Sequence, residues 1–138
     1  MSNLIPLFKV HMSPDVGKAV SDVLLSGYIG QGEKVKEFEK MLGSYVGNKN
    51  LITTNSATSA DHLALRLLSA PQDDDWAHLS PGDEVLTSAL TCTATNWPIL
   101  ANNFKIKWVD ADPTTCNIDL EDLKRKISPT TKAIMVVH

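Results

Sequence analysis

The residues most able to do chemistry sit where small and hydroxyl side chains cluster. In Asn55-Ser56-Ala57-Thr58-Ser59-Ala60 an apolar run passes directly into an amphipathic segment. Unpaired backbone N–H groups at such a helix start can receive an anion, small side chains let it approach, and Thr58 and Ser59 add hydroxyl donors. The same residues also describe a Ser/Thr helix cap. The segment is neither a Gly-Lys-Ser/Thr phosphate loop nor a Gly-x-Gly-x-x-Gly fingerprint, so it does not indicate a nucleoside triphosphate or a dinucleotide.

A second polar group follows in "TCTATN", where Thr91, Thr93, Thr95 and Asn96 surround Cys92. These residues could line a polar pocket, or form a threonine-rich strand end with an N-cap and a small buried thiol. A thiolate nucleophile needs an electropositive neighbour, and only helix-terminal N–H groups are at hand. In "VDADP", Asp110 and Asp112 read as turn caps. His62 has no histidine or acid four residues on to join it as a metal ligand, and no metal site is expected. Trp76, Trp97 and Trp108 read as packing residues.

The elements that must position these residues alternate. Ser13-Pro14 reads as the cap and first residue of a helix that stops at Gly27. Val35, Phe38, Met41, Leu42 and Tyr45 recur at helical spacing and predict a second helix that buries this stripe. Then come a short β-rich run, "NLITTN"; a helix, "ATSADHLALRLLSA", with Leu63, Leu67 and Ala60 or Ala64 on one face; and a strand, "DEVLTSAL". A helix in "TATNWPILANN" follows, with Pro98 near its first turn. After it come a strand in "KIKWVDAD", a helix capped by Asp119, and a strand in "KAIMVVH".

Strands and helices taking turns imply an α/β class, with a mainly parallel sheet covered by helices on both faces. Ligands of such sheets bind at the carboxyl ends of the strands. That places Asn55 to Ser59, Leu90 to Thr95, Asp110 to Asp112 and His138 at the expected site. The segment "SAPQDDDWAHLSPGDE" reads as a solvated loop.

With 138 residues, 43% of them hydrophobic and 21% charged, the chain has the composition of one folded domain rather than of a disordered segment. A net charge of −3 with scattered lysines gives no footprint for nucleic acid. There is no signal-like start and no membrane-length apolar run, so a cytoplasmic protein without a membrane partner is expected. The two cysteines, Cys92 and Cys116, form no metal or disulfide framework and are expected to be reduced and at least partly buried. Because His138 ends an apolar strand that no later helix covers, residues 1–138 read as an N-terminal segment plus the first part of a larger domain.

Taken in order, "GYIGQGEKVKEFEKMLGSYVG", "NSATSADHLAL", "PGDEV" with "TCTATN", and "VDADPTTCNIDLEDLKRKISPTTKAIMVVH" resemble the DegT/DnrJ/EryC1/StrS family of pyridoxal-phosphate-dependent sugar aminotransferases, of fold-type I. The resemblance implies that Ala57, Thr58 and Ser59 hold the 5′-phosphate of pyridoxal 5′-phosphate. It puts Cys92 at the position of a residue that stacks on the pyridine ring; that residue is usually aromatic, and cysteine is a departure. Tyr28 and His138 become substrate-side candidates. The lysine that anchors the cofactor, the acid that pairs with its ring nitrogen and a further phosphate-binding serine all fall beyond His138, so no catalytic residue is expected within this chain.

The implied parent is a homodimeric enzyme of nucleotide-sugar, polysaccharide or lipopolysaccharide biosynthesis. It would pass an amino group from glutamate to a nucleotide-linked keto sugar. Two alternatives stand beside it: a nucleotide-sugar 3-dehydratase of the same fold, and a non-catalytic binding or assembly module.

Overall fold

The computed structural model describes residues 5–6, 8–70 and 78–138. The chain divides into two units, Met1–Thr53 and Thr54–His138.

The first unit holds α1 (Val16–Leu25) and α2 (Glu33–Val46). Ser13-Pro14 leads into α1 rather than opening it. The Val16 N–H donates to Ser13 O at 3.1 Å, the N-cap is Asp15, and the first helical residue is Val16, two later than Pro14. Gly27 ends the helix as expected, with φ +77°, a left-handed conformation that costs glycine least.

The stripe expected to be buried on α2 is not. Phe38, Met41 and Tyr45 are 55%, 73% and 89% exposed, while Val35 and Leu42 are half-buried. The periodicity correctly marks a helix, but among the described residues of this unit there is no sheet for the stripe to cover. Gly43 is the buried residue of α2, because a Cβ there would stand 2.8 Å from Asn48 O, where the chain turns back.

The β-rich run "LITT" forms no strand. A strand needs a neighbour for its ladder. Here the Thr53 N–H and Oγ1 both donate instead to Glu39 Oε1, at 2.7 and 2.8 Å, and these bonds hold the Glu39 carboxyl below its ordinary range.

The second unit runs α3 (Ala57–Leu68), β1 (Glu84–Ser88), α4 (Thr93–Ala101), β2 (Lys105–Val109), α5 (Leu120–Lys126) and β3 (Thr131–Met135). The expected segment "SAPQDDDWAHLSPGDE" joins α3 to β1, but its residues 71–77, Trp76 among them, lie outside the described residues. The sheet has order β2-β1-β3, parallel throughout. β1 is therefore central, and Val85, Leu86 and Thr87 are 0% exposed.

Alternation along β1 sends these side chains to opposite faces. On one face Val85 packs with Leu65 of α3, Ile99 of α4, Leu79 and Phe104, beside Ile106, Ala133 and Met135. On the other, Leu86 packs with Val109 and Ile118, beside Leu123 of α5. Helices thus cover both faces of a parallel α/β sheet, as expected.

Three local expectations change. In α3 the buried residue is Leu65, with Thr58, Asp61, His62 and Leu68 half-buried, whereas Ala60, Leu63, Ala64 and Leu67 are exposed. Leucines stand on two faces of this helix, and the sheet takes the face of Leu65 and Leu68 rather than that of Leu63 and Leu67. Pro98 lies in the second turn of α4, where its ring removes the bond that would reach back to the Ala94 carbonyl. Trp108 is 48% exposed and is not a core packing residue.

The Asp119 cap of α5 is as expected, accepting from the Glu121 and Asp122 N–H groups. Asp122 is itself buried. Its Oδ2 accepts from Asp110 N at 2.8 Å and from Lys126 Nζ at 2.7 Å, and its Oδ1 accepts from Arg125 at 2.9 Å. The Lys126 bond first, then the Asp110 and Arg125 bonds, hold the carboxyl far below the ordinary value of 3.8.

Two outcomes follow from this packing. Leu86→Ala should cost about 2–5 kcal/mol in urea unfolding, because it opens a cavity beneath the central strand; a loss below about 1 kcal/mol would contradict the double-sided core. The depressed Asp122 carboxyl binds fewer protons folded than unfolded, so its contribution is present above the ordinary carboxylate range and is lost as pH falls from about 4. Asp122→Asn should therefore lower stability at about pH 7 and lose less than the native chain between about pH 5 and 3. Equal acid sensitivity in the two proteins would refute the assignment.

Candidate functional site

At the start of α3 the cap and the anion cradle prove compatible. Ser56 is the N-cap, in extended conformation; its Oγ accepts from the Ser59 N–H at 3.1 Å and donates to Ser59 Oγ at 3.0 Å. Thr54 Oγ1 donates to Ser56 O at 2.8 Å and fixes the approach. This chain of bonds uses the third amide of the helix. The Ala57 and Thr58 amides have no carbonyl a turn behind them, and the Ser59 hydroxyl still has its own proton to give. Two amides and one hydroxyl at the positive end of a 12-residue helix form a donor set suited to a phosphate.

α4 leaves the carboxyl end of β1 after the turn Ala89–Thr91. Its N-cap is Cys92, with φ −65° and ψ 140° and no side-chain capping bond. The Cys92 and Cys116 thiols are both free and exposed, which corrects the expectation of buried thiols. Cys92 is in the capping place, with its side chain turned to solvent rather than packed. Thr91 and Thr95 share a hydrogen bond at 2.9 Å. Asn96, expected in a polar pocket, is buried: its Oδ1 accepts from Thr87 Oγ1 at 2.8 Å and its Nδ2 donates to Ser88 O at 3.1 Å.

α3 and α4 advance together. Thr58, Ser59, His62 and Trp97 line a shallow cavity of about 280 Å³. The His62 and Trp97 rings stack at 5.8 Å with 27° between their planes. Asn102 Nδ2 donates to His62 O at 3.2 Å and to Pro98 O at 2.8 Å. Leu65 shares a core with Ile99 and Phe104. This order of contacts sets both helix starts toward the carboxyl edge of the sheet, where the parallel α/β fold gathers its ligands. Trp97 is exposed, not buried as a packing residue.

The remaining candidates divide. Asp110 and Asp112 are turn formers as expected: Asp110 Oδ1 accepts from Ala111 N, and Asp112 Oδ1 accepts from the Thr115 and Thr114 N–H groups, which hold its carboxyl low. His138 is exposed and lies three residues past β3, which stops at Met135, so it does not end the strand as expected. Tyr28 belongs to the first unit, where it is 85% exposed and lines a cleft of about 870 Å³ with Ala19, Val23, Gly30, Gly32 and Lys34. Among the described residues, no group of three or more His, Cys, Asp or Glu side chains is placed to hold a metal, and no helix is long and apolar enough to cross a membrane.

The clamping role of Asn96 and the latch made by Asn102 were not read from the sequence. The available signal was an asparagine inside a helix otherwise rich in apolar residues, a position it disfavours without a specific partner.

Comparison with known proteins agrees with this parallel α/β fold. The model of the DegT/DnrJ/EryC1/StrS aminotransferase family matches residues 11–138. The chain is 36% identical over 135 residues to the spore coat polysaccharide biosynthesis protein SpsC of Bacillus subtilis, covering 95% of this chain and 32% of that one. It is 52% identical to the sugar aminotransferase CalS13 of Micromonospora echinospora, with a TM-score of 0.82 over 98% of this chain and 34% of the other. The E. coli GDP-4-keto-6-deoxy-D-mannose-3-dehydratase, solved with bound hydrated PLP, superposes with a TM-score of 0.83 at 30% identity, over 95% of this chain and 33% of that one. The chain therefore spans about a third of the length of these relatives.

If Ser56 caps α3 as described, Ser56→Ala should cost about 1 kcal/mol, read as a lower urea midpoint. An unchanged midpoint would show that the Ser59 amide has no need of it.

Proposed function

Since the chain belongs to the DegT/DnrJ/EryC1/StrS aminotransferase family, we propose that it carries the phosphate-binding part of a pyridoxal-phosphate-dependent sugar aminotransferase. In this reading residues 1–138 are the N-terminal segment and the first part of the cofactor-binding domain. The observation that carries it is the start of α3: Ser56 takes the third amide, and the Ala57 and Thr58 amides with the Ser59 hydroxyl remain as phosphate donors.

The donor set fits the group. A phosphate dianion needs convergent N–H and O–H donors and a favourable dipole, and the start of α3 supplies both without a lysine. Pyridoxal phosphate, when bound, supplies a conjugated ring that takes up the electron pair released as an amino group changes carrier. The chain's own residues bind and orient. Ala57, Thr58 and Ser59 would hold the phosphate end, and Cys92, exposed at the N-cap of α4, would offer the ring a soft, polarizable surface. Tyr28 and His138 serve the substrate side. None of the lysines here is assigned the covalent role.

The substrate class proposed is a nucleotide-linked keto sugar with glutamate as amino donor, in polysaccharide or lipopolysaccharide biosynthesis, by a cytoplasmic homodimer. The 3-dehydratase reading is supported by the superposition on the E. coli dehydratase at 30% identity. The aminotransferase reading has 52% identity to CalS13 and is preferred.

Titrating the chain with pyridoxal 5′-phosphate, and separately with pyridoxal, tests the reading without relying on turnover. Loss of one charge-assisted bond in Ser59→Ala should weaken pyridoxal phosphate by about tenfold and leave pyridoxal unaffected. Equal binding of the two ligands, or no change in Ser59→Ala, would overturn it.

A further inference from the structure

The segment between the end of β1 and the first turn of α4 is tied down more tightly than a surface turn requires. Over Thr87 to Asn96 the Leu90 N–H donates to Ser88 Oγ at 3.1 Å, Thr91 N to Ala89 O at 2.9 Å, and Thr95 N to Cys92 O at 2.9 Å; Thr91 and Thr95 share a further bond. Beneath them Asn96 is buried and spends both ends of its amide on β1, one on the Thr87 hydroxyl and one on the Ser88 carbonyl. Within this braced turn the Cys92 thiol is exposed and makes no capping bond.

We propose that Asn96 is a positioning residue for Cys92: by bonding the last two residues of β1 to the first turn of α4, it sets where the thiol stands at the carboxyl edge of the sheet. Its value to the cofactor rests on the ring-side reading of Cys92 given above; the positioning itself does not. The physical case is one of matched needs. Thr87 lies fully buried in the central strand, where an unpaired hydroxyl is costly, and a buried asparagine amide needs both a donor and an acceptor partner. Each satisfies the other in one arrangement. The Ser88 carbonyl then fixes the rotation of the amide, and the intervening turn has little freedom left. A leucine or alanine at 96 could fill space but would leave Thr87 unpaired and the turn held only at its surface.

The test reads Cys92 directly, with Cys116 as internal reference, by pulsed iodoacetamide labelling and mass spectrometry of the whole chain. In Asn96→Ala and Asn96→Asp the ratio of Cys92 to Cys116 rate constants should rise about threefold or more as the turn opens locally. The aspartate keeps the acceptor for Thr87 but loses the donor to Ser88 O. Thr87→Val, nearly isosteric, removes only the Thr87 bond and should raise the ratio less. Leu65→Ala, which loosens the core without touching the clamp, should leave it unchanged.

An unmoved ratio in Asn96→Ala, or an equal rise in Leu65→Ala, overturns the proposal. The emission of added pyridoxal phosphate gives a second reading: Asn96→Ala should shift it while phosphate affinity stays within about twofold. If the native chain binds no pyridoxal phosphate, the cofactor reading falls, and the thiol ratio alone still decides the positioning.

Discussion

The second unit of this chain depends on the burial of one strand from both sides. Val85, Leu86 and Thr87 of β1 are fully shielded from water, and successive side chains of a strand point in opposite directions. A layer is therefore needed above and below. α3 and α4 supply one and α5 the other, with each buried aliphatic side chain contributing about 1.5–3 kcal/mol. The parallel ladders to β2 and β3 follow from the same requirement, because helices placed on the faces must connect strands that run the same way.

Burying Thr87 adds a condition that hydrophobic packing alone cannot meet. Its hydroxyl has to be paired, and Asn96 answers from the first turns of α4. A similar economy operates at the end of β2, where the Asp110 N–H finds the buried Asp122 carboxylate and α5 is drawn onto the sheet. Buried polar groups thus fix how each helix leaves the strand before it. At the carboxyl edge of the sheet these few bonds tie the starts of α4 and α5 to the strand ends before them.

Much of this was legible in the sequence where a local rule acts alone. The Asp119 cap, the Gly27 stop, the three strands that carry dense β-branched or aliphatic residues and the α/β alternation all depend on neighbours a few residues away. What was misread depends on partners far along the chain. "LITT" has the composition of a strand but no ladder to join, and Glu39 takes its donors. α3 offers leucines on two faces, and only the sheet decides that Leu65 goes inward. The site divides the same way. The small and hydroxyl residues from Ser56 to Ser59 announce a helix start with spare donors, whereas the exposure of Cys92 and the clamp formed by Asn96 emerge only once β1 and α4 lie side by side.

The central claim is that the start of α3 receives the cofactor's phosphate, and amide NMR of the chain during addition of pyridoxal 5′-phosphate addresses it most directly. The account predicts that the largest shifts fall on the Ala57, Thr58 and Ser59 N–H groups, with the Ala57 and Thr58 protons moving downfield as they bond to the anion. If those amides stay still while signals elsewhere move, the phosphate is held by other residues and the account is wrong.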